Sequence, residues 1–280
     1  MAQYLVDHEP QIRLICFIGI FAAVALAEIL TPRRSLIHSK ARRWLVNIGI
    51  TVTNSVILRL FVPILATGLA ARAEVNGMGL FNMIDLPVWL EIVIAVIVLD
   101  FLIYLQHLVV HAVPVLWRLH MVHHIDLDFD VTTGARFHPV EILFSMGVKL
   151  AAVFLLGPAV IAVIIFEILL NATAMFNHGN FRLPLELDKV LRLFVVTPDM
   201  HRVHHSIRIE ETNSNYGFNL PWWDRLFGTY RAQPQAGHDL MTIGITPYSS
   251  SPILGYFSAL FLPFVGRSGG YPRFFRRAGK

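Results

Sequence analysis

Apolar residues run in long blocks along this chain, separated by short polar loops. Three blocks, residues 12–30, 44–71 and 86–113, are each long enough to cross about 30 Å of hydrocarbon as a helix. A fourth, residues 140–176, holds 37 residues and as one helix would extend about 55 Å. Its middle reads LLGPAV, with Gly157 and Pro158 adjacent, and this pair breaks helices. The pattern therefore predicts two helices of about 17 residues meeting at Gly157–Pro158, a hairpin that need not reach the far side. The predicted class is all-α: a multi-span membrane protein of about three full transmembrane helices plus a broken helical hairpin. An apolar stretch at residues 251–266 carries two prolines and is short, so an interfacial or buried helix is expected there.

Composition agrees with the blocks. Of 280 residues, 55% are hydrophobic and 15% charged, against about 25% charged in soluble domains, and the mean hydropathy is +0.58. One domain covering residues 1–280 is expected, because the polar chemistry is threaded between the apolar blocks. The single cysteine, Cys16, excludes a disulfide framework or a thiolate metal site within the chain. The first ten residues lack a basic n-region, so the first block is read as a retained span.

Charge placement suggests an orientation. Loop 31–43 holds Arg33, Arg34, Lys40, Arg42 and Arg43, whereas loop 72–85 holds Arg72 alone. The positive-inside rule puts the first loop in the cytoplasm. The third block then ends there, the hairpin starts and ends there, and the histidines described next share one cytoplasmic face within a helical cap. A bacterial inner membrane and the endoplasmic reticulum fit equally well. Arg267, Arg273, Arg276, Arg277 and Lys280 make the C-terminus basic, suited to anionic headgroups. No nucleic-acid partner is expected.

Thirteen residues are histidine, and ten of them lie between His107 and His205. HLVVH places His107 and His111 at i, i+4. HMVHH places His120, His123 and His124 at i, i+3, i+4, and HRVHH repeats those offsets with His201, His204 and His205. Such offsets share one helix face. Eight imidazoles beside a membrane exceed what structural packing or a pH sensor requires, and they exceed the ligand number of one metal. Two metals sharing eight to ten imidazoles fit the count. Imidazole binds iron, zinc, copper and nickel, so ligand type leaves the metal open. Asp100 and Tyr104 lie on the same stripe as His107 and His111, and a ligand His N–H is the expected partner of Asp100. His138 and His178, flanking the hairpin, are the candidate ninth and tenth ligands. His8, His38 and His238 lack spacing partners and are assigned to the surface.

With HLVVH, HMVHH and HRVHH in this order, the chain resembles the fatty acid hydroxylase/sterol desaturase superfamily. Further matching elements are RFHPVE (136–141), NHGN (177–180) and NYGFNLPWWDRLFGTY (215–230), so the resemblance covers residues 98–230. Membrane acyl-CoA desaturases usually separate their first two boxes by some thirty residues, whereas eight residues lie between His111 and His120 here. Some family hydroxylases carry a further paired histidine, but position 174 is Ala174. The resemblance implies a non-haem diiron centre (two Fe ions, with O2 as co-substrate). The implied activity is hydroxylation or desaturation of an unactivated C–H bond in a membrane lipid such as a fatty acyl chain, sterol or aminolipid. It also implies supporting roles for Asn177 and Asp224, with Trp222 and Trp223 packing or lying at the interface. No fused haem carrier is recognised, so electrons are expected from a separate electron-donor protein. The competing class is a His-rich zinc-dependent hydrolase or metal carrier without oxygenase activity.

Overall fold

The computed structural model describes residues 2–250 and 254–271. Among them no strand forms, and extended pairing is limited to two isolated bridges, Pro32 with Phe181 and Ser206 with Ile243. Five helices are long and apolar enough to cross a membrane: α1 (Glu9–Leu30), α2 (Lys40–Phe61), α4 (Val88–Ala112), α6 (Pro139–Leu156) and α7 (Val160–Asn177). A short helix, α3 (Ala66–Val75), lies between α2 and α4. After α4 comes α5 (Pro114–His124), and beyond α7 follow α8 (Pro198–His204), α9 (Trp222–Leu226) and α10 (Tyr256–Val265). Large apolar side chains such as Ile15, Ile29, Leu45, Leu60 and Leu155 point outward, as a lipid-facing surface requires. The chain is an integral membrane protein.

The hairpin forms where the sequence predicts it. Gly157 ends α6 in the left-handed conformation (φ 59°) and its N–H bonds the Val153 carbonyl at 2.8 Å. A Cβ on Gly157 would lie 2.2 Å from the Met78 carbonyl oxygen, so both the conformation and the close approach demand glycine. The block at residues 44–71 differs from its expected single span. It breaks after Phe61, because Pro63 has no N–H to donate and its ring pushes Val62 into extended backbone (φ −113°, ψ 100°). Helix α10 buries Ala259 and Leu262 against α5 while exposing Phe257, Phe261 and Phe264. Arg273, Arg276, Arg277 and Lys280 lie outside the described residues.

The basic loop 31–43 also plays a structural part that charge counting missed. Arg43, wholly buried, sends Nε and Nη2 to Asp126 (2.9 Å each) and Nη1 to Asp130 (2.5 Å). Asp126 is held below the usual carboxylate range: burial pushes it up, but Arg43 and Arg136 beside it outweigh burial. Asp128 accepts the Ile37 and His38 backbone N–H groups, both at 2.8 Å. Lys40 pairs with Glu28 at 3.0 Å, and the other Glu28 oxygen accepts the N–H groups of Val131 and Asn180. Arg33 pairs with Asp199 and Asp239. The Arg43 and Asp128 contacts tie the start of α2 to loop 126–130, which follows α5 and its last two histidines, while Arg33 ties loop 31–39 to α8.

Candidate metal centre

Nine histidines converge into two adjoining groups. Each group offers one nitrogen per residue, and those nitrogens all lie within 4.8 Å of one another. One group is His107, His111, His120, His124 and His204, and the other is His123, His178, His201 and His205, all buried. The two triplets do not each face one centre. On α5 the i, i+4 pair His120 and His124 joins the first group and His123 the second. On α8 and its C-terminal residue the pair His201 and His205 joins the second group and His204 the first. Both α4 histidines join the first. Each HxxHH segment thus straddles the two groups, and the hairpin α6–α7 brings α8 back against α5.

Five outward nitrogens are tied to fixed acceptors, whereas Nδ1 of His123, His124 and His201 is buried without a partner. His107 Nδ1 bonds the Tyr216 carbonyl (2.8 Å), His204 Nδ1 the Ser214 carbonyl (2.7 Å), and His178 Nδ1 the Ala174 carbonyl (2.7 Å). His120 Nδ1 meets Glu141 Oε1 at 2.6 Å, and His111 Nδ1 meets Asn213 Oδ1 at 3.3 Å. Such outer bonds fix which nitrogen keeps its proton and leave Nε2 with a lone pair. The Nε2 atoms of His107, His111, His204 and His205 are buried without a hydrogen-bond partner. Others meet nitrogen to nitrogen: His120 with His124 at 3.2 Å, His123 with His178 at 3.2 Å, and His178 with His201 at 3.1 Å. Two ligands about 2.1 Å from one metal at roughly right to tetrahedral angles stand about 3.0–3.4 Å apart. The donor set therefore fits two metal ions, one per group.

Burial first, and neighbouring imidazoles after it, hold His123, His124, His201 and His205 well below the ordinary imidazole value. Burial brings His178 and His204 down to about 3. These rings are neutral at physiological pH, the state that metal ligation requires.

His138 is not brought to either group. It caps the start of α6, its Nδ1 accepting the Val140 N–H (3.2 Å) and its Nε2 lying 3.1 Å from the Leu260 carbonyl. Its backbone position before Pro139 is extended and turns the ring toward α10. Asp100 does not meet a histidine either. Its oxygens accept the Asn219 and Leu220 N–H groups (3.2 Å each) and Trp223 Nε1 (2.8 Å). Asp224 accepts the Tyr216 and Gly217 N–H groups, both at 2.8 Å, and the Thr229 hydroxyl at 2.6 Å. Burial raises Asp224 to about 6 against those donors. Tyr104 reaches Thr229 at 3.0 Å, and Asn177 Nδ2 donates to the Phe218 carbonyl at 3.1 Å. All four side chains thus hold segment 215–220 or its anchors, and that segment supplies the carbonyl that orients His107.

Glu141 and Asn213 escaped the sequence reading as partners of His120 and His111. A carboxylate in the first turn of an apolar helix was the available signal for Glu141; Asn213 had none. A Cβ on Gly134 would lie 2.4 Å from the Ala174 carbonyl, so helix and loop touch backbone to backbone and position 134 demands glycine. His8 is exposed and His38 half-buried, but His238 is buried against Asp199 rather than on the surface. A cavity of about 280 Å³ begins at His107 and His120 and extends among α1, α2, α4, α6 and α7.

An all-helical membrane protein with two groups of buried histidines that could each hold a metal ion, beside a cavity among its apolar helices, has the architecture of a membrane metalloprotein. The fatty acid hydroxylase family model matches residues 92–229. Ornithine lipid hydroxylase OlsE of Rhizobium tropici is 30% identical over 181 residues, 64% of this chain and 51% of that protein. Alkylglycerol monooxygenase of Homo sapiens is 30% identical over 139 residues, 48% of this chain and 29% of that protein. Methylsterol monooxygenase 2-2 of Arabidopsis thaliana is 27% identical over 242 residues, 81% of this chain and 90% of that protein. No solved structure gives a significant match. The chain belongs to the fatty acid hydroxylase/sterol desaturase superfamily. It spans about half the length, or less, of the first two of these relatives.

Proposed function

We propose that the protein is a membrane-bound non-haem diiron oxygenase that hydroxylates, or desaturates, an unactivated C–H position of a lipid. The carrying observation is the pair of histidine groups, whose ring nitrogens converge within 4.8 Å of one another, five of the nine rings being held through Nδ1. His107, His111, His120, His124 and His204 would hold one iron, and His123, His178, His201 and His205 the other; His138 is left out. Bound there, two irons would supply activation of O2 for insertion of oxygen into, or removal of hydrogen from, a C–H bond. Hydroxylation consumes two electrons and two protons, and the second oxygen atom leaves as water.

The chain's own residues bind, orient and exclude water. Glu141 holds the His120 Nδ1 proton, and segment 213–216 orients His107, His111 and His204 through its backbone and Asn213. The cavity brings substrate to His107 and His120 from within the bilayer, while α5, α8 and loop 126–138 cover the site from the other side. The catalytic region is residues 98–230 within one membrane domain, with the site on the cytoplasmic face of a bacterial inner membrane or the endoplasmic reticulum. Electrons come from a separate donor protein docking on that face. The relatives' names cover an aminolipid, alkylglycerols and methylsterols, so a polar membrane lipid is the substrate class.

The test is purification, metal analysis, and turnover in lipid with O2 and a reductase, read by lipid mass spectrometry. Two irons per chain and a product gaining one oxygen or losing two hydrogens are expected. Zinc alone with O2-independent turnover would replace this reading with a zinc hydrolase.

A further inference from the structure

The cavity has a second polar end that chemistry at the histidines does not use. Lys149 on α6 and Glu167 on α7 pair at 2.7 Å, and Arg13 on α1 reaches the other Glu167 oxygen at 2.6 Å and Glu9 at 2.7 Å. Lys149 and Glu167 are 11% and 4% exposed. Lys149 lies eight residues beyond Glu141 and Glu167 eleven before His178, which places them about 12 and 16 Å from the histidine layer. Charges at such depth are costly, and in membrane proteins they mark substrate paths. Arg13, Lys149 and Glu167 all line the cavity that begins at His107 and His120.

A second observation lies between the two ends. Asn54 is buried, and its Nδ2 donates to the Phe137 carbonyl at 2.9 Å, which fixes the orientation of the amide. Its Oδ1 has no partner and lines the same cavity. Glu141 Oε2 is likewise unpartnered there, although Oε1 holds His120. Both atoms are acceptors, and each calls for a hydroxyl, amide or ammonium donor.

We propose that this cavity takes the headgroup of a zwitterionic lipid, with Glu167 binding its cationic amine and Lys149 and Arg13 its anionic group. Asn54 and Glu141 accept donors nearer the reacting carbon. The assignment rests on the oxygenase reading of the histidine site and narrows its substrate. Arg13 and Lys149 balance Glu9 and Glu167, so a headgroup carrying both signs enters without leaving an uncompensated buried charge, whereas a singly charged one does not. The cavity volume, about 280 Å³, is at the low end for ligand pockets. It suits a headgroup rather than a whole lipid, with the tails left in the bilayer. The oxidised carbon then lies in the headgroup or its link to the tails.

The test compares the full chain with Lys149→Met/Glu167→Gln, which removes one charge of each sign and keeps the Arg13–Glu9 pair. Native mass spectrometry measures retention of phosphatidylethanolamine, an aminoacyl lipid, uncharged diacylglycerol and a sterol; tandem spectrometry locates any added oxygen. The wild-type chain is expected to prefer the zwitterionic lipids by about tenfold or more. The double variant should lose that preference while keeping its metal content and thermal midpoint, and the added oxygen should fall in the headgroup fragment. Equal retention of diacylglycerol or sterol by the wild type, an unchanged preference in the double variant, or oxygen in an acyl fragment overturns the proposal. Selective retention without any O2-dependent product would sink the oxygenase reading and leave the headgroup site standing.

Discussion

Replacing Arg43 tests whether the buried clamp, and not only the histidine spacing, makes the site. Arg43 is wholly buried, and its guanidinium faces Asp126, Asp128 and Asp130, all at most 7% exposed. Arg43→Met leaves these carboxylates with Arg136, 3.8 Å from Asp126, as the nearest remaining cation. Removing one partner of a buried pair costs about 3–5 kcal/mol. At about 2–4 °C per kcal/mol for a chain of this size, the thermal midpoint should drop by about 10 °C. Arg43→Lys keeps the charge but loses the fork that reaches Asp126 and Asp130 together, and should cost about half as much. Adding Asp126→Asn and Asp130→Asn to Arg43→Met should recover most of the loss, because neutral amides no longer need the cation. Loop 126–130 follows α5 and its last two histidines, so metal content should follow the same order. Thermal unfolding in detergent, with metal analysis of the surviving protein, measures both. A midpoint for Arg43→Met within about 1 °C of wild type would refute the clamp as a stabilising element.

Three further outcomes follow from the site. Glu141→Gln removes the carboxylate from His120 Nδ1, and loss of such an outer partner lowers metal affinity about 10–100-fold; competition with a chelator reads it, and unchanged affinity counts against the role. His178→Ala should abolish binding at the second group while His138→Gln leaves two metals per chain, and equal loss in both variants would return His138 to the ligand set. Acid should unfold the metal-free protein between about pH 6.5 and 5. The six imidazoles His123, His124, His178, His201, His204 and His205 have folded values below their unfolded one, so the unfolded state binds more protons. Stability is then present above the unfolded value and falls with pH below it, by about 1.4 kcal/mol per pH unit for each ring and about 8 for six. Asp224, raised to about 6, acts in the opposite sense but is one group worth at most about 3 kcal/mol, so the histidines decide. A flat profile of thermal midpoint against pH across that window would contradict their burial as neutral rings.

What was legible in the sequence depended on local rules. Gly157–Pro158 announced the hairpin because a left-handed residue followed by proline ends a helix whatever surrounds it. The HxxHH offsets announced shared helix faces for the same reason, and NHGN placed His178 at a helix end. Spacing did not say that each triplet divides, since that depends on how α5 and α8 cross, a tertiary relation. Pro63 was legible in principle, but the hydrophobic run around it outweighed one residue in the reading. The partners of Asp100, His138 and Arg43 were not legible. A buried polar group is satisfied by whichever donor or acceptor the fold brings, and backbone carries no sequence label: the Tyr216, Ser214 and Ala174 carbonyls that orient three histidines would be there with other side chains. This is why Asp100 and Asp224, expected beside the ligands, act one step away. They take the N–H groups of segment 215–220, and the opposite edge of that backbone presents the Tyr216 carbonyl to His107. Exchanging Tyr216 for phenylalanine should therefore leave His107 in place, whereas Asp224→Ala, which frees two buried N–H groups, should loosen it.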